Sequence, residues 1–124
     1  MSDQKLVFVV DDDASMLKGV ARLLRRFGYD SRLFPSAKAF TDHRDLGNAV
    51  CIILDIDIGG VSGIDLRHRL TAANISVPVI YMTGKDSPAV REAALQSGCL
   101  AYLTKPFSAK SLIEPLKAIS VGLS

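Results

Sequence analysis

Five acids, one threonine and one lysine are the residues of this chain best suited to chemistry: Asp11, Asp12, Asp55, Asp57, Thr83 and Lys105, with Asp13 beside the first two. Asp11–Asp13 close one apolar run, Leu6–Val10. Asp55 closes a second, Cys51–Leu54. Carboxylates gathered at one place repel, each pair by about 4 kcal/mol at ~4 Å and an effective dielectric of ~20. They must therefore hold a proton or share a cation. Oxygen ligands without a neighbouring His or Cys favour a hard ion, and Mg²⁺ suits an open site that keeps several waters. A cation, the Lys105 ammonium and the Thr83 hydroxyl together fit a phosphoryl group. Backbone N–H groups after Asp55 and at Gly84 add donors, because glycine lets the chain come close. Asp55 is then the natural nucleophile, forming an acyl phosphate. One of the first three acids, Asp13 or a neighbour, is expected to cap the following helix.

These residues meet only if particular elements hold them. A short, continuously apolar run is a strand buried on both faces, the habit of parallel sheets. Strands are expected over Leu6–Val10, Tyr29–Phe34, Cys51–Leu54, Val77–Met82 and Leu100–Leu103. Between them apolar residues recur at helical spacing, as in Leu17, Val20, Ala21, Leu24 and Phe27, with Lys18, Arg22, Arg25 and Arg26 on the opposite, solvated face. Gly28 ends that helix. Ser36 caps a second helix reaching about Leu46, in whose polar part His43 lies without a role. A third runs near Ile64–Ala73 with Arg67, His68 and Arg69 exposed, a fourth over Ala89–Ser97, and a fifth over Ala109–Val121. Pro115 falls inside the last, which predicts a kink or a split there. Five strands alternating with five helices through short loops demand a parallel sheet with helices on both faces. Asp11–Asp13, Asp55, Thr83 and Lys105 then share the carboxyl edge, where open α/β sheets hold ligands.

Length and composition set the outer bounds. A chain of 124 residues, 48% hydrophobic and 23% charged, suits a single domain over 1–124 with a sizeable core. A net charge of +2 is too small to argue for nucleic acid or an anionic membrane. The early apolar run is too short for a signal peptide or a membrane span, so the expectation is cytoplasmic. Cys51 and Cys99 are expected to be free thiols.

In order and spacing, VVDDD, ILDIDIGGVSG, YMTG and AYLTKPF resemble the receiver domain of bacterial two-component response regulators, over roughly Leu6 to Ile119. FPSAKAF and TKPF are most similar to the FixJ-type subgroup. The resemblance implies a flavodoxin-like (βα)5 three-layer sandwich with strand order 2-1-3-4-5, the order for which receivers are a standing example. It implies phosphorylation of Asp55 by a phosphohistidine donor, a sensor histidine kinase or a histidine phosphotransferase. Asp12 would ligate Mg²⁺ directly and Asp11 through water, with Asp55 and the Asp57 carbonyl completing the protein ligands. Thr83, Gly84 and Lys105 would hold phosphoryl oxygens, and Tyr102 matches the aromatic switch that swings inward as Thr83 moves. Output would pass to a partner protein, to a second phosphotransferase or to an effector domain outside this sequence.

The departures are specific. Met-Pro after the phosphorylated aspartate is Ile58-Gly59 here, which predicts a less rigid loop. Asp57 and Lys85 stand at positions that in receivers flank the path of the hydrolytic water, so the resemblance implies that an Asp57–Lys85 pair covering Asp55 would set the phosphate lifetime. Pro115 disturbs a helix that receivers use for partner surfaces. The strongest rival is an enzyme: DxD at Asp55 and Asp57, then Thr83 and Lys105, resembles haloacid-dehalogenase-type phosphohydrolases. Those need an acidic pair after the lysine, where this chain has only Glu114. A flavin binder fails at the first loop, whose three acids would repel the flavin phosphate. A receiver that works without phosphorylation is the remaining reading.

Overall fold

The computed structural model describes residues 5–122. The outer ends of the domain expected over 1–124 lie outside the described residues. Seven strands and five helices follow one another: β1 Leu6–Val10, α1 Ala14–Arg26, β2 Asp30–Phe34, α2 Ala37–Thr41, β3 Cys51–Asp55, β4 Asp57–Ile58, β5 Val61–Ser62, α3 Gly63–Ala72, β6 Val79–Thr83, α4 Pro88–Gln96, β7 Ala101–Thr104 and α5 Ala109–Gly122. Five of the strands make one sheet of order β2-β1-β3-β6-β7, every neighbour pair parallel. Without the two-residue strands β4 and β5 this is the expected order 2-1-3-4-5.

Alternation along each strand divides the core into two layers. Val7, Val9, Ile53, Ile80 and Met82 face Leu17, Val20 and Leu24 of α1 and Leu112, Ile113 and Leu116 of α5. Phe8, Val10, Ile52, Leu54, Val79 and Tyr81 face Phe40 of α2, Leu66 and Leu70 of α3 and Ala94 of α4. Strands covered on both faces have no polar period, which is why they read as unbroken apolar runs. Cys51 and Cys99 are free, and burial pushes the Cys51 thiol up to about 12.

Capping follows the expected chemistry. Asp13 accepts N–H bonds from Ser15 and Met16 at 2.9 and 3.3 Å, and Ser36 accepts one from Ala39 at 3.0 Å. Several expectations need correction. The second helix stops at Thr41, because only Ala37 and Phe40 bury a face and the polar residues after them have none. A 3-10 turn at Leu46–Asn48 follows. His43 turns inward and meets the Phe8 and Phe34 rings edge-on at 5.3 and 5.4 Å. Phe27 is exposed rather than in the core, its ring under the Lys117 ammonium at 5.5 Å. Arg67 is half-buried rather than exposed, its Nε donating to the Gly98 carbonyl at 3.2 Å. Pro115 does not split the last helix, which runs from Ala109 to Gly122 as one element. A proline removes one helical N–H, and the buried Leu112, Ile113 and Leu116 around it hold the helix to the sheet.

Candidate functional site

Strand register brings the chemistry together. β1 ends at Val10, paired with Leu54, so Asp11 and Asp55 leave adjacent strands at the same level. Asp55 pairs with Met82, and Thr83 pairs with Thr104, which puts Lys105 one residue further on. Two backbone bonds lock the edges: the Ile56 N–H donates to the Met82 carbonyl at 2.9 Å and the Lys105 N–H to the Thr83 carbonyl at 2.8 Å. Asp11, Asp55 and Thr83 are the buried polar residues of the described chain, at 0, 6 and 3% exposure.

The Lys105 ammonium donates to Asp11 Oδ2 at 2.9 Å and stands 3.4 Å from Asp55 Oδ2. One carboxylate oxygen each from Asp11, Asp12 and Asp55 lies within 4.8 Å of the others. Burial, then repulsion by Asp11, pushes the Asp55 carboxyl up to about 6, with Lys105 opposing both. Burial works against the Lys105 charge, but the two carboxylates outweigh it and hold its pKa above the ordinary value. A second cation would relieve the remaining repulsion, and an all-oxygen donor set suits Mg²⁺. The residues present therefore fit that ion.

Backbone donors point at the same place. The Asp57 N–H donates to Asp55 Oδ1 at 3.4 Å, and the Asp13 N–H to Asp11 Oδ1 at 3.0 Å. Thr83 Oγ1 accepts the Lys85 N–H at 3.0 Å, and Gly84 is exposed at the rim. Tyr102 is half-buried in β7. Its hydroxyl is not simply wet, because it donates to Asp86 Oδ1 at 2.8 Å, while the Arg91 guanidinium covers the ring at 4.9 Å. Burial and that bond push the Tyr102 hydroxyl up to about 12.

The Asp57–Lys85 pair is not formed: among the described residues no ion pair joins them. Asp57 Oδ1 accepts the Gly60 N–H at 3.1 Å instead, closing the turn between β4 and β5. Gly59 and Gly60, both at positive φ, make that turn, which antiparallel pairing of Asp57 with Ser62 then braces. The loop after Asp55 is thus a short hairpin. Sequence reasoning also passed over Gly63. A Cβ there would drive into the Asp55 carbonyl oxygen, because the chain doubles back and the Gly63 N–H donates to the Ile56 carbonyl at 2.8 Å. Its signal was a glycine at the first position of a helix, directly after a capping serine.

The sheet, its helical layers and the acid-and-lysine socket at the carboxyl edge define a flavodoxin-like α/β domain with an acidic cluster at that edge. Residues 7–117 match the family model of the response regulator receiver domain, and the chain belongs to that family. Members are the phosphoacceptor units of two-component signalling, and that is the functional class of this chain. It is 32% identical over 117 residues to nodulation protein W of Bradyrhizobium diazoefficiens, covering 94% of this chain and 52% of that protein. A response regulator receiver protein from Burkholderia phymatum is 38% identical with a TM-score of 0.78, covering 94% of both chains. One from Pseudoalteromonas atlantica superposes with a TM-score of 0.89 at 20% identity, over 96% of this chain and 99% of that one. The chain spans about half the length of the curated relatives it matches. The phosphohydrolase reading has no support: Glu114 lies on α5 paired with Lys110 at 3.7 Å, while the acids that join Asp55 precede it in the chain. Among the described residues no helix is long and apolar enough to cross a membrane.

Proposed function

We propose that Asp55 accepts a phosphoryl group from a phosphohistidine of a sensor histidine kinase or histidine phosphotransferase, and that the modified domain then changes a partner-binding face. The observation that carries this reading is the Lys105 ammonium reaching both Asp11 and Asp55 at the mouth of the socket. An Asp55 oxygen attacks phosphorus, the P–N bond of the donor breaks with its electron pair returning to the imidazole, and an aspartyl phosphate results. With its carboxyl titrating near 6, Asp55 is largely ionised and nucleophilic at neutral pH. Mg²⁺, held by Asp12 directly, Asp11 through water, Asp55 and the Asp57 carbonyl, would neutralise the charge on the transferred group. Lys105 shifts from carboxylate to phosphoryl oxygen, and the Thr83 hydroxyl and Gly84 N–H supply further donors. Attack of water on phosphorus returns Asp55 and inorganic phosphate, without independent turnover of small phosphoesters.

Thr83 and Tyr102 form the switch. Thr83 moving to the phosphoryl group opens space that Tyr102 fills by leaving Asp86 and Arg91, so phosphorylation biases one of two arrangements. The affected face is formed by α4, β7 and α5, and its output is a protein partner or a linked effector, with no direct contact to nucleic acid or membrane. The FixJ-type assignment rests on FPSAKAF and TKPF, and a cytoplasmic location on the chemistry of the donor. Intact mass after incubation with acetyl phosphate and Mg²⁺ tests the core of the proposal. Wild type gains one phosphoryl group and Asp55→Asn gains none; equal labelling of both would refute it.

A further inference from the structure

The sheet ends on β2, and β1 occupies only one of its sides. The Asp30 N–H donates to the Lys5 carbonyl at 2.9 Å, and the Phe34 carbonyl accepts from the Asp11 N–H at 3.2 Å. Backbone groups alternate along a strand, so Ser31 and Leu33 turn their N–H and C=O away from β1. No strand pairs with that edge among the described residues. Leu33 remains 37% exposed.

An open groove of about 640 Å³ runs between this edge and α1, lined in part by Lys18, Ala21, Arg22, Arg25 and Tyr29. Lys18, Arg22 and Arg25 follow one another at four and three residues, one row along ~10 Å of helix. All three are exposed, and neither they nor Arg32 of β2 joins an ion pair among the described residues. Lys38 and Lys110, by contrast, each pair with an acid four residues on, Asp42 and Glu114.

We infer that this groove docks an extended acidic segment of a partner protein, which adds to the sheet as a further strand beside β2. The free edge supplies main-chain partners in register, Leu33 and Ala21 an apolar contact, and the α1 row the charge that selects Asp- or Glu-rich sequence. Edge charges also keep like sheets apart, but Arg32 on the strand serves that purpose without a row on the neighbouring helix. A nucleic acid would satisfy the row and leave the strand edge and Leu33 unused. The groove lies at the sheet edge, away from Asp55, so the inference stands independently of phosphoryl transfer.

The test is titration of the full chain with a short fluorescein-labelled peptide of alternating Glu and Val, followed by anisotropy and by amide chemical shifts. Saturable binding is expected, with the largest shifts at Ser31 and Leu33. The double variant Arg22→Glu, Arg25→Glu should bind at least ~10-fold more weakly while keeping its acetyl phosphate labelling. Ser31→Pro removes an outward N–H and spares the β1 ladder, so it should weaken binding without reversing charge. The same peptide N-methylated at alternate residues must lose affinity for wild type, a check that needs no variant to fold. Absence of saturable binding overturns the inference, as does full retention by the methylated peptide. So does an oligothymidylate that binds as tightly and moves the same amides.

Discussion

Two ion pairs of equal length sit at the same end of this sheet and behave in opposite ways. Lys105 to Asp11 and Arg91 to Asp86 are both 2.9 Å, but the first joins side chains 20 and 0% exposed and the second 50 and 39%. In the socket, desolvation dominates and the neighbouring Asp55 is pushed up to about 6. At the rim, hydrogen bonds from Arg91 and Tyr102 dominate and hold Asp86 below the ordinary carboxylate range. A buried cluster short of one positive charge is stressed and responds strongly to a cation or a phosphoryl group. A solvated pair is cheap to break, which suits a part that must move. In the switch proposed above, the socket would supply the driving force and the rim the hinge.

The sharpest way to break that contrast is to remove the socket's cation. Lys105→Ala should reduce acetyl phosphate labelling by more than ~10-fold, since a preorganised charge aimed at the transferred group is lost. Labelling at the wild-type rate would mean that Lys105 only balances Asp11. Gly63→Ala comes next. Its methyl group meets the Asp55 backbone, not a movable side chain, so urea unfolding should show a loss of about 1–3 kcal/mol, with labelling impaired in the folded fraction.

Titration sharpens the comparison further. In EDTA, Asp55 titrates near 6 when folded against an ordinary 3.8, so between those values the folded state binds the extra proton. Stability should therefore fall as pH rises from about 4 to about 6 and stay low above it. Relative to wild type, Asp55→Asn should gain about 3 kcal/mol across that window, and Mg²⁺ should erase most of the difference. A flat difference curve would show that Lys105 already satisfies both acids. The smallest effect is expected at the rim. Asp86→Asn should leave the melting temperature unchanged, yet release Tyr102 and lower its phenol titration from about 12 toward the ordinary 10. An unmoved phenol titration would mean that burial alone sets it.

Much of this was legible in one dimension. Apolar runs closed by Asp11–Asp13 and by Asp55, together with Thr83 and Lys105 after later runs, betray a parallel sheet. Every strand of such a sheet delivers its last residue to one edge, so distance along the chain ceases to matter. Helix caps at Asp13 and Ser36 were equally plain, because capping is a local contest for a few N–H groups. Less visible were contacts whose partners lie on different elements. Asp57 looked like half of an ion pair with Lys85, but the nearer Gly60 N–H claims it. His43 looked idle until α2 ended early and turned it toward Phe8 and Phe34. Tyr102 read as a switch by resemblance, with nothing to indicate that Asp86 and Arg91 hold it.

By itself, then, the sequence determined the strand order, the layers and the meeting of three acids with one lysine, since hydrophobic period and strand direction are set by local composition. Only the tertiary structure decided which oxygen faces which nitrogen, how strongly Asp55 is stressed, and that Gly63 must be a glycine. Those depend on burial and on how closely segments distant in the chain approach, and neither quantity exists until the chain has closed on itself.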